Sequence, residues 1–145
     1  MKFKLFSAFI IVFLLGTHSC TDTEEIIPQV SFFARLKFIA TDPAYNQENP
    51  FVVKIDSYNQ LIGNAGVVIY RLSDQEYYVF DLMCPNEKSR SSLVEVTEDG
   101  YCKCPTCGSL FAVSIPDGAL LDGPSHYGLY PYNAEVVDGS LQISN

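Results

Sequence analysis

Apolar residues come along this chain in short bursts of strand length, separated by polar turn signals at roughly ten-residue intervals. Val30–Phe38 is apolar and aromatic-rich, and Phe51–Ile55 and Gly66–Leu72 follow it. Tyr77–Leu82 comes after the polar run Ser73-Asp74-Gln75-Glu76, a spacing that predicts a hairpin. Leu93–Val96 and Tyr101–Cys104 flank Thr97-Glu98-Asp99-Gly100, and Asp-Gly marks a hairpin turn because glycine accepts positive φ. Leu110–Ile115 runs into Pro116-Asp117-Gly118, and Glu135–Val137 into Asp138-Gly139 before Leu141–Ile143. Helical periodicity is nearly absent, and no internal repeat or low-complexity segment interrupts the pattern. The prediction is an antiparallel all-β domain. The longest loop, Ala40–Pro50, offers no chemistry.

One apolar run is of another kind. Leu5–Gly16 is twelve residues long behind the basic start Met1-Lys2-Phe3-Lys4, too short to span a bilayer, and reads as a secretory signal within residues 1–19. Cys20 follows small Ser19, which resembles the cleavage box of bacterial lipoproteins, with Thr17 where that box usually has leucine. The resemblance implies a diacylglycerol on Cys20, a lipidated tether over residues 20–29, a domain over residues 30–145, and an extracytoplasmic place on a bacterial membrane, periplasmic or at the cell surface. Asp22, Glu24 and Glu25 resemble the acidic signals that send some lipoproteins to the surface.

Without the leader's two lysines, seven basic residues face seventeen acidic ones, a balance of −10. That excludes nucleic acid as a partner and leaves the lipid anchor and an unknown protein as the partners to expect. About 126 residues hold one core, not two.

The chemistry concentrates between residues 84 and 111. Cys84-Pro85-Asn86 and, seventeen residues on, Cys104-Pro105-Thr106-Cys107-Gly108-Ser109 each look like half of a metal site, and Ser109-Leu110-Phe111 continues the second. From Gly66 to Ser144 this pattern resembles the Rieske family, whose β domain carries a [2Fe–2S] cluster between two hairpin loops bearing Cys-x-His and Cys-x-x-His. Gly123-Pro124-Ser125 resembles that family's proline-containing cover loop, and Tyr130–Ile143 its closing strands. The resemblance implies a Rieske-like antiparallel sandwich with a two-hairpin metal-site subdomain at 84–111.

Both histidine places of the motif are altered, to Asn86 and Cys107. Rieske centres hold one iron by two cysteines and the other by two histidines. Asparagine offers only a weak neutral oxygen, which suits hard cations. The ligand role therefore carries to Cys84 and Cys104 as positions, is open at Cys107, and fails at Asn86.

Three outcomes follow for the cofactor. The domain carries none, with disulfides in an oxidising compartment: Cys84–Cys104 with Cys102–Cys107, or Cys84–Cys102 with Cys104–Cys107, the Cys102–Cys104 pairing being strained. Bridging the two loops would stabilise by about 3 kcal/mol. Alternatively, Cys-Pro-x-Cys-Gly is the turn of zinc ribbons and rubredoxin-like sites, and Cys84, Cys104, Cys107 and Cys102 hold one zinc or iron, Cys102 facing the same side of its strand as Cys104. Last, a thiolate-rich, non-standard [2Fe–2S] cluster would have its potential lowered toward the ferredoxin range, about −400 mV. His126, the one histidine past the leader, reads as a surface residue of the cover loop before it reads as a ligand.

Ser89-Arg90-Ser91-Ser92 has no histidine base nearby and reads as a polar loop, and Tyr127–Tyr132 as aromatic packing. The functional expectation is a structural or interaction module without a standard cluster. The alternative is an electron-transfer or zinc-binding protein with an altered cysteine ligand set, in neither case a complete enzyme.

Overall fold

The computed structural model describes residues 24–37 and 39–145. The expected signal segment and the lipidation candidate Cys20 lie outside these residues. The described chain is all-β, in ten strands: β1 (Phe33–Lys37), β2 (Phe51–Val53), β3 (Val67–Arg71), β4 (Tyr77–Asp81), β5 (Glu95–Val96), β6 (Cys102–Lys103), β7 (Leu110–Phe111), β8 (Leu120–Asp122), β9 (Pro131–Val137) and β10 (Ser140–Ser144). They form two antiparallel sheets, one of six strands in the order β1-β10-β9-β4-β3-β2 and one of four in the order β5-β6-β7-β8. This is the two-sheet, all-β architecture expected from the sequence.

The turns behave as their residues require. At Asp138-Gly139 both central residues have positive φ, 50° and 70°, so a two-residue turn joins β9 to β10 with the twist of the flanking strands. Gly100, at φ 80°, closes the β5–β6 hairpin, where Thr97 N donates to Tyr101 O at 2.8 Å. At the β3–β4 turn, Leu72 N donates to Glu76 O at 2.9 Å.

Alternation along β3 and β4 divides the core in two. Val67, Ile69 and Val79 point into a cluster with Leu36, Ile62, Leu141 and Ile143. Val68 and Phe80, on the opposite face, join Leu82, Val94, Phe111, Val113 and Leu129. With both faces covered, Val67–Ile69 of β3 form a continuous buried apolar run where a one-sided strand would alternate. The second cluster also contains Cys84, Cys102 and Cys104, so the thiols belong to the packing between the sheets.

The folded unit begins before Val30. Ile27 is buried, and Asn64 Nδ2 donates to Pro28 O at 3.0 Å, so the described end of the 20–29 segment lies against the domain.

Candidate metal centre

Two hairpin tips build the site. Beyond β4 the chain pairs with itself through the Met83–Leu93 bridge and a bond from Cys84 N to Ser92 O at 3.0 Å, which makes residues 84–92 a tip. The second tip joins β6 to β7, with Cys104 N donating to Ser109 O at 2.9 Å. Thr106 Oγ1 donates to Ser92 Oγ at 3.2 Å and links the two.

These tips bring three of the four candidate thiols together. The sulfurs of Cys84, Cys104 and Cys107 all lie within 4.8 Å of one another, and those of Cys84 and Cys107 are 3.7 Å apart. All four cysteines of the described residues are free thiols. The Cys84–Cys107 approach belongs to neither of the two disulfide pairings favoured from the sequence, but to the one set aside because its Cys102–Cys104 partner bond is strained.

Cys102 is not part of the group. It faces inward with Cys104, as residues two apart on a strand should, but it sits in the apolar cluster beside its cross-strand partner Phe111. Burial pushes its thiol up to about 12. Asn86 is exposed, and its amide donates to Glu87 Oε1 at 2.9 Å. His126 is exposed in the cover loop and outside the thiol group.

The surroundings treat the three thiols unequally. Burial pushes Cys84 up to about 12, against the backbone N–H groups of Glu87 and then Asn86, which favour its anion. At Cys107 partial burial also opposes ionisation. There the Ser109 hydroxyl and amide, then Cys84 and Cys104, outweigh it and bring the thiol below its ordinary range. Ser109 is itself fixed: it is fully buried, 3.2 Å from the Cys107 sulfur, and its Oγ accepts from Ser125 N at 3.1 Å. The cover loop thus reaches the site through Ser109. A Cβ at Gly123 would stand 2.5 Å from Ser109 Cα, so only glycine allows this approach.

A standard [2Fe–2S] cluster does not fit these residues. It needs two protein ligands on each of two irons, whereas three thiols converge here and Asn86 offers only an exposed amide, a poor iron ligand. One ion does fit. A tetrahedral zinc at about 2.3 Å from each sulfur sets sulfurs about 3.8 Å apart, close to the Cys84–Cys107 separation.

No family model and no curated protein matches this chain. Among solved structures, one described as an NADH-dependent nitrite reductase small subunit from Mycobacterium tuberculosis is similar over 81% of this chain and 97% of that chain, at 16% identity and a TM-score of 0.45. Likeness at that level leaves the function to this chain's own residues.

Proposed function

We propose that this protein is a Rieske-like, lipid-anchored extracytoplasmic module in which one zinc ion, held by Cys84, Cys104 and Cys107, takes the place of the diiron centre. The convergence of three thiols on a single point carries the reading. Zinc has no redox chemistry, and its contribution here is to cross-link the two tips once the thiols are deprotonated. The residues do the rest: the N–H groups of Asn86 and Glu87 favour the Cys84 thiolate, and Ser109 that of Cys107. The product is a rigid loop face for a protein partner, not a carrier of electrons.

Metal and sulfide analysis of the purified protein tests this. One zinc per chain, no labile sulfide and a colourless sample are expected. Two irons with labile sulfide would overturn it. So would a zinc-free sample lacking accessible thiols under denaturing conditions.

The 3.7 Å Cys84–Cys107 approach favours a second state once the metal is lost. Thiol–disulfide exchange with an external disulfide would pass two electrons and two protons to that partner and leave a Cys84–Cys107 bond. Peptide mapping of chelated protein incubated with oxidised glutathione would show this link.

A further inference from the structure

The two tips repeat one backbone frame. Each opens on a cysteine followed by proline, and the fifth residue's N–H returns to the cysteine carbonyl: Lys88 N to Cys84 O at 2.8 Å, Gly108 N to Cys104 O at 2.9 Å. That fifth residue has positive φ in both, 50° at Lys88 and 81° at Gly108. In both, the cysteine's own N–H closes the hairpin, onto Ser92 O and Ser109 O. Laid on one another, Cys84 matches Cys104, Asn86 matches Thr106, and Glu87 matches Cys107. Thr106 and Asn86 are both exposed, while Cys107 is half-buried and joins the thiol group, and Glu87 is half-buried too.

We infer that Glu87 supplies the fourth ligand of the ion, giving a three-thiolate, one-carboxylate zinc site. This rests on the zinc reading above and adds its missing corner. Glutamate is an ordinary zinc ligand, with oxygen about 2.0–2.2 Å from the metal. In the metal-free arrangement its carboxylate accepts from the Asn86 amide at the surface. Rotation of the side chain exchanges that exposed bond for the ion. Three thiolates and one carboxylate around a divalent ion leave a site of net charge −2, the thiol protons passing to solvent.

Zinc-edge X-ray absorption of the loaded full chain tests the frame directly. Wild type should show three sulfurs and one oxygen. E87C should show four sulfurs, whereas N86C should keep three, because its new thiol sits in the place of Thr106. Chelator competition should find zinc held at least about tenfold more weakly in E87A, with an unchanged circular dichroism spectrum. A three-sulfur shell in E87C, a fourth sulfur in N86C, or wild-type affinity in E87A would overturn the Glu87 assignment while leaving the three-thiolate ion in place. Failure of the wild type to bind zinc would instead bring down the function on which the assignment rests.

Discussion

At the scale of single residues, the thiols divide by what surrounds the sulfur. Cys102 lies buried in the apolar cluster between the sheets, and burial takes it from an ordinary 9.0 to about 12. Folded protein then keeps this proton where the unfolded chain loses it. Stability from this source is complete below pH 9 and falls as pH rises toward 12. In chelator-treated protein, urea melts should therefore show C102A losing less stability over that window than wild type, by up to about 1.4 kcal/mol per pH unit. Parallel slopes would show that the buried thiol titrates normally. Cys107 is the opposite case, half-buried with its pKa lowered, so one-equivalent alkylation of metal-free native protein should mark Cys107 ahead of Cys84 and Cys102, as peptide mapping would report. The cysteines themselves were legible in the sequence from the Cys-Pro starts of both boxes. Glu87 was not, because residue spacing pointed to Asn86, and only the hydrogen bonds of the turn show which residue of the first box stands where Cys107 stands in the second.

At the scale of elements, one buried carboxylate and one glycine fix the tips on the sheets. Asp81, at the end of β4, is fully buried and accepts from Met83 N at 2.7 Å, Asn64 N at 2.8 Å and the Tyr132 hydroxyl at 2.6 Å. It thereby ties the Gly63–Gly66 turn and β9 to the strand that leads into Cys84. Truncation would strand several buried donors, so D81A should lower unfolding stability by about 3 kcal/mol or more, measured in denaturant. G123A works at the other tip. Its methyl would push the cover loop off Ser109, and its φ of 103° disfavours any side chain. The expected result is weaker zinc binding and a Cys107 thiol less easily ionised, read by the pH dependence of its alkylation. The strands were legible where apolar and polar residues alternate or where a turn dipeptide closes a hairpin, as at Asp99-Gly100 and Asp138-Gly139. β8 was not, since Leu120–Asp122 is a three-residue strand whose pairing with β7 is set by tertiary contact and includes a register shift.

At the scale of the whole molecule, the position of Lys88 bears on how the proposed lipid anchor would hold the domain. The second tip has Gly108 in this left-handed place, while the first puts a lysine there, a conformation that strains any residue with a Cβ. The lysine's reach explains the exchange. Its Nζ lies 3.0 Å from Glu24 Oε1 and 2.7 Å from Glu25 O, and the Tyr127 hydroxyl donates to Glu24 Oε2 at 3.2 Å. The chain's entry is thus strapped between the first tip and the cover loop, a contact invisible in the sequence because 64 positions separate its partners. The Lys88 hydrogen bond, more than its charge, lowers the Glu24 pKa. The strap should therefore hold above the ordinary carboxylate range and loosen as pH falls through the lowered value. Cys20 is four residues from Glu24, a span of at most about 14 Å. A lipid on Cys20 would consequently keep the thiol loops beside the headgroups, while the Ser73–Glu76 turn stands at the far end of β4, roughly 16 Å of strand away. Energy transfer from a fluorescent residue to labelled headgroups on vesicles carrying the lipidated protein checks this orientation. Transfer should be stronger from position 126 than from position 75, and K88A should narrow the difference; equal transfer in the wild type would show that the domain swings freely on its anchor.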